Sequence, residues 1–261
     1  MKLSKISLFL LLALIVTNCS KDTIGGSGDK IDKSANLKSS GDSANDLLSN
    51  NQHTDLLIQI AYVEGFQPTQ KAIDDFIQFI KERTFKEEIE VVYKELPSPG
   101  VEALDIEKTD ELEKANRTVY NNGKTLALYI YFSDAPAKKK DDTDGDLVTL
   151  GAVYRNTSMV IYESTIRELT KKSIFVNNTT VETATLSHEF CHLLGLVDLG
   201  TKPLSDHEDD DHTNHCNVPG CLMQSELEFG GGMMKMLAAK NNLIPVLDEK
   251  CLADLKSNGG R

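Results

Sequence analysis

Apolar residues recur along this chain in three distinguishable patterns. Residues 6–16 form an apolar run broken only by Ser7 and preceded by Lys2 and Lys5. That run is well short of the ~20 residues a membrane-spanning helix needs, and a short basic segment before a short apolar run is a secretory signal. Residues 56–63 (LLIQIAYV), 89–93 (IEVVY) and 125–132 (TLALYIYF) are dense apolar stretches of strand length. The last is apolar almost throughout, which predicts a central strand. Ile73, Phe76, Ile77 and Ile80 recur at three and four, predicting an amphipathic helix over residues 69–83. Residues 105–120 read as a weakly amphipathic helix, and residues 150–162 as one or two strands around a turn near Asn156. Residues 179–196 read as a helix. A long irregular loop and C-terminal helices follow, with Gly230, Gly231 and Gly232 as a break. Strands alternating with helices predict a sheet with helices packed on it.

Composition changes this picture at the N-terminal side. Residues 20–52 are rich in Ser, Gly, Asp, Asn and Lys and poor in large apolar groups, so they are expected to form a flexible tether. The resemblance of residues 15–20 to a bacterial lipobox implies a signal peptide over 1–18, so the chain is expected to divide into that leader, a tether (19–52) and one domain (53–261). The formal net charge is −12, from 40 acidic and 28 basic residues, which argues against a nucleic-acid partner. The five cysteines are an odd number, so one needs a separate account.

The chemistry is concentrated between residues 188 and 223. On a helix, His188 and His192 lie four apart on one face and can offer two imidazole nitrogens to one metal. Zinc suits such ligands. Glu189, one step round the helix, can reach a metal-activated water without being a ligand itself, the arrangement of a zinc hydrolase with a Glu base. Gly195 follows three residues after His192, where a left-handed residue would end the helix. Downstream stand His215, Cys216, Cys221 and Met223.

This string resembles the metzincin zinc peptidases, whose signature is H-E-x-x-H-x-x-G-x-x-H followed by a Met-turn. His188, Glu189, His192 and Gly195 match, while Asp198 stands where the third His is usual; snapalysin-type metzincins carry Asp there. The segment His215-Cys216-x4-Cys221-Leu222-Met223 resembles the His-Cys-x4-Cys-x-Met of archaemetzincins, displaced as if residues 198–214 were an insertion. The resemblance implies His215 as the third ligand, with Asp198, His207 and His212 as alternatives. It also implies Met223 on a turn beneath the metal, and protein or peptide substrates. Its fold would be α+β and zincin-like: a mixed twisted sheet of about five strands in three αβα layers, an active-site helix and an irregular C-terminal subdomain. Gln224 replaces the Tyr that some metzincins place after the Met. No C-x-x-C follows, which argues against the second, Cys-bound zinc that archaemetzincins would suggest.

Residues 15–20 resemble a bacterial lipobox, with Asn18 where a smaller residue is usual. This implies lipidation of Cys19 and an outer-membrane or surface lipoprotein of a Gram-negative-type bacterium, acting as a monomer. Four cysteines then remain. Cys216 and Cys221 flank a Pro-Gly turn and are either bridged or two buried thiols; Cys191 and Cys251 read as core residues. Alternating carboxylates at Asp142, Asp144 and Asp146 resemble a calcium loop, although the EF-hand glycine position holds Leu147. The acidic run at residues 206–211 reads as a solvated loop. Three functions stay open: a membrane-anchored zinc endopeptidase with Glu189 as base, a gluzincin-like hydrolase with a downstream Glu ligand, and a non-catalytic surface lipoprotein whose zinc supports binding.

Overall fold

The apolar runs form the centre of the molecule. In the computed structural model, which describes residues 32–139 and 148–261, five strands make one mixed sheet. They are β1 (Asp55–Val63), β2 (Glu88–Leu96), β3 (Thr125–Phe132), β4 (Gly151–Arg155) and β5 (Ser158–Ile161), in the order β2-β1-β3-β5-β4. The first four in that order run parallel and β4 returns antiparallel along β5. β3 is the middle strand, as its continuous apolar sequence predicts. Its period-two alternation divides it between two cores. Leu126, Leu128, Ile130 and Phe132 pack on one face, and Tyr129 and Tyr131 on the other. Asp142, Asp144, Asp146 and Cys19, with the whole leader, lie outside the described residues.

Helices cover both faces. Helix α2 (Gln70–Arg83) begins at Thr69, whose hydroxyl accepts from the Ala72 N–H, and buries Ile73, Phe76 and Ile80. Helix α3 (Ile106–Asn116) lies on the opposite face and is shorter than the sequence suggests. Its buried positions are Thr109 and Glu113, which explains its weak amphipathicity, and it stops where Arg117 turns extended. The Arg117 guanidinium bonds Glu113 Oε1 at 2.7 Å inside the fold, with both side chains buried. Helix α4 (Glu163–Lys171) was not foreseen from the sequence, although its polar and apolar positions alternate at helical spacing; its buried set is Glu163, Thr165, Ile166 and Thr170. Helix α5 (Asn178–Leu193) is buried from Thr180 onward, and Phe76 meets Phe190 edge-on at 5.4 Å. It packs against α2, α4 and β4. Among the described residues no helix is long and apolar enough to cross a membrane.

Two expectations fail. The glycine trio does not break the chain; Gly230 opens helix α6 (Gly230–Ala239). A Cβ at Gly230 would come within 2.3 Å of Leu169, and one at Gly232 within 2.3 Å of the Glu226 carbonyl, so these glycines are there for close packing. The last helix, α7, is Glu249–Ser257. The tether is also shorter than read, because residues 32–52 are built into the fold. Helix α1 (Ala44–Leu48) buries Leu47 and Leu48 in the main core. The Lys86 ammonium gathers the carbonyls of Asp46, Ser49 and His53, and Asn36 Nδ2 reaches the Ala127 carbonyl at 3.1 Å. The polar composition misleads because two leucines and a set of side-chain amides suffice to anchor the segment.

Candidate metal centre

Helix α5 supplies the first two histidines. Asn177 caps its N-terminus by accepting from the Thr180 N–H at 3.0 Å. Its C-terminus closes as the spacing predicts: the Gly195 N–H donates to the His192 carbonyl, the Leu196 N–H to the Cys191 carbonyl, and Gly195 is left-handed at φ 77°. No side chain fits there, since a Cβ would lie 2.6 Å from Thr201 Oγ1 and 2.9 Å from Ala44 Cβ.

The third histidine arrives from the apparent insertion. Residues 207–209 pair with 215–217 through Asp209 N–H to the His215 carbonyl and Asn217 N–H to the His207 carbonyl. The acidic run is thus a folded hairpin-like arm rather than a free solvated loop, and it carries His215 to the helix. His207 is its buried foot, 3.4 Å from Asp254 and 3.6 Å from Cys251.

The ring nitrogens of His188, His192 and His215 converge, with one donor atom from each lying within 4.8 Å of the others. His188 Nε2 is 3.2 Å from His192 Nε2, and the three ring centroids are 4.9, 5.4 and 5.1 Å apart. His188 Nδ1 lies 2.8 Å from the Leu222 carbonyl and His215 Nδ1 lies 3.0 Å from that of Thr213. A carbonyl only accepts, so each Nδ1 carries a proton, and in the neutral ring Nε2 is the nitrogen left with a lone pair for a metal. Burial, followed by the neighbouring His215, holds His188 down to about 3. Burial, then His188 and His215, keeps His192 well below the ordinary imidazole value. Neutral imidazoles are the form that binds metal. His215 Nε2 and Glu189 Oε1 are buried without a hydrogen-bond partner, which fits a cation among them. Of the alternatives, Asp198 is exposed, and His207 and His212 point elsewhere; none joins this group.

Glu189 is buried beside the cluster and accepts from the Val153 N–H of the edge strand β4. Burial, then the nearby Glu228, raises its carboxyl well above the ordinary value. Gly151, also on β4, makes the room: a Cβ there would be 2.7 Å from Glu189 Cγ. Met223 is fully buried, and the Leu222 carbonyl before it fixes His188.

Comparison with known proteins gives a structural answer. The crystal structure of archaemetzincin from Methanopyrus kandleri superposes with a TM-score of 0.50 at 14% identity, covering 78% of this chain and 96% of that one. The fold resembles that of archaemetzincin. Metalloproteinase-II from Bacteroides fragilis matches at a TM-score of 0.43 and 12% identity, covering 88% of this chain and 59% of that one. No family model and no curated protein sequence matches the chain.

A second cluster was not foreseen. Cys216, Cys221, Cys251 and Asp248 place one donor atom each within 4.8 Å of one another. All four described cysteines are free, so Cys216 and Cys221 are not bridged. Cys216 Sγ is 3.2 Å from Asp248 Oδ2, and Cys221 Sγ is 3.8 Å from Cys251 Sγ. Hydrogen bonds from the Cys221 and Cys251 thiols bring Cys216 down to about 5, while the bond with Cys216 helps push Cys221 up to about 12. Burial raises Asp248, but bonds from the Cys221 and Cys216 thiols outweigh it and hold that carboxyl at about 2. The sequence does hold a signal, because Asp248 and Cys251 have the spacing of the absent C-x-x-C. A search for cysteine pairs alone passes over it. Cys191, by contrast, is a core residue packed among apolar side chains.

Proposed function

We propose that this chain is a zinc-dependent endopeptidase, exported and held at a bacterial surface through lipid on Cys19. The observation that carries the reading is the convergence of three imidazoles, with one ring nitrogen from each within 4.8 Å of the others, beside a buried carboxyl group that has no hydrogen-bond partner on Oε1. His188, His192 and His215 would hold the zinc ion. Three protein ligands leave one position open, the mark of a catalytic rather than a structural site. When bound, zinc supplies a Lewis acid that makes water nucleophilic near neutral pH and polarises a carbonyl. Glu189 takes the proton from the attacking water and returns it to the leaving amine. Val153 holds Glu189 in place, Gly151 gives it clearance, and the Leu222 and Thr213 carbonyls fix the tautomers of His188 and His215. An extended peptide suits the edge strand β4, which runs directly over Glu189.

The cysteine cluster supports a second, structural zinc. Three thiols and a carboxylate close a four-ligand set with no position left for substrate. Metal analysis tests both sites together with degradation of a peptide library. We expect two zinc ions per chain, His215→Ala to remove one together with all cleavage, and Cys251→Ser to remove the other. Chelator should abolish cleavage. Zinc at the histidines with no cleavage of any peptide would instead favour a binding protein.

A further inference from the structure

Exposed apolar side chains and lysines gather on one face of the molecule. Ile174 is 90% exposed and Phe175 69%, on the loop between α4 and α5, and Leu243 is 70% exposed just past the end of α6. The two loops are joined, because Asn242 Nδ2 donates to the Phe175 carbonyl at 2.6 Å. The tip is also fixed from within. The Ser173 hydroxyl accepts from the N–H groups of Phe175 and Val176, and Val176 is buried in the main core. Ile174 and Phe175 are thus held out into solvent by an ordered backbone. Large apolar side chains clustered in the open mark a binding surface.

The charge around them runs against that of the chain. The formal net charge is −12, yet residues 169–181 and 229–247 carry Lys171, Lys172, Lys235 and Lys240 and no Asp or Glu. These two segments meet where Gly230 packs on Leu169. Of the flanking acids, Glu168 pairs with Lys172 at 2.6 Å and Asp75 with Lys71 at 2.8 Å, while Glu163 and Glu182 are buried. A stable protein partner covers about 800 Å² of each surface with a packed apolar centre, whereas these side chains stand out singly from two loop ends. Apolar tips among lysines fit a bilayer surface: the tips enter the headgroup boundary and the ammonium groups meet anionic headgroups.

We propose that this face docks on an anionic lipid surface, with Ile174 and Phe175 inserted at the headgroup boundary and Lys171 and Lys240 on the phosphates. The contact depends neither on lipid at Cys19 nor on the metal centre. The chain contains no Trp, so a single introduced indole reports its own surroundings. The full chain carrying Phe175→Trp is mixed with vesicles of phosphatidylethanolamine and phosphatidylglycerol, with and without bromine on the acyl chains. Phe85→Trp is the reference and has the same apolar leader. Phe85 lies past the C-terminal end of α2, whose N-terminal Thr69 borders the proposed face. The emission of Phe175→Trp should move to the blue and be quenched by bromine, and that of Phe85→Trp should do neither. In the Phe175→Trp chain, Ile174→Ser should weaken vesicle binding at least about tenfold. Lys171→Gln with Lys240→Gln should do the same, also at least about tenfold. Added salt should weaken binding as well. No response of Phe175→Trp to vesicles, or equal quenching of the two indoles, would overturn the proposal. A blue shift that follows protein concentration without vesicles would overturn it in favour of contact between two copies of this chain.

Discussion

At the scale of single residues, the candidate site is shaped as much by groups that fix or clear space around the three histidines and Glu189 as by those side chains themselves. Gly151 is the sharpest case: a methyl group there would collide with Glu189 Cγ at 2.7 Å and with Thr185 Cγ2 at 2.9 Å. Gly151→Ala should therefore displace the Glu189 carboxylate and lower kcat at least about tenfold, since a base off by an ångström loses much of its effect. Zinc content should not change, because no histidine moves. Steady-state kinetics with metal analysis separates these effects. His188, Glu189, His192 and Gly195 were legible in the sequence because they repeat at helical spacing on one element. His215 was legible only through its cysteine and methionine neighbours. Glu228, Gly151 and Asp248 were not, because tertiary packing alone brings each to its partners.

At the scale of elements, helix α5 is locked to its neighbours by a polar knot. Glu182 of α5 accepts from the Thr69 N–H and hydroxyl at the start of α2, and Asn178 Nδ2 reaches both Glu182 and Glu163 of α4. Arg167 binds Glu163 and the carbonyls of Gly65 and Gln67. Burial, then the charge of Glu182, raises Glu163 to about 8, against the opposing pull of Arg167. In the unfolded chain this group loses its proton near 4.3. Between those values the folded state holds a proton that the unfolded state has lost, so this contribution to stability falls as pH rises from about 4.3 through 8. Thermal unfolding should show a Tm that declines between pH 5 and 8, and Glu163→Gln should flatten that decline. A slope that is unchanged in the variant would contradict the assignment. The strands and α2 were readable because their buried faces are apolar. Helix α3 was blurred because its buried positions, Thr109 and Glu113, are polar, and Glu113 pairs with the buried Arg117 just past its end; α4 was missed because only Ile166 among its buried residues is apolar.

At the scale of the whole molecule, the chain before β1 acts as a clasp rather than a spacer. Gly41 and Gly200 approach so closely that a Cβ on Gly41 would overlap the Leu199 carbonyl, and Ala44 packs under Gly195 at the end of helix α5. Asn45 Nδ2 donates to the Asn258 carbonyl at 2.7 Å, joining this segment to the C-terminal end of the chain. Leu47→Ala should cost about 2–5 kcal/mol, the range for emptying a buried leucine site. Denaturant titration measures this, and a loss below ~1 kcal/mol would return the segment to the status of a tether. Composition could not reveal the clasp, since its hold comes from two leucines and from amide contacts to residues more than 80 positions away.

The central claim is that three histidines hold a metal on which Glu189 acts as base, and Glu189→Gln tests it most directly. Zinc bound per chain and cleavage of a susceptible peptide should be measured on the same preparation. Full zinc content with cleavage reduced at least about 100-fold, the range for losing a general base, is the predicted result. Cleavage equal to that of the unaltered protein would contradict the account.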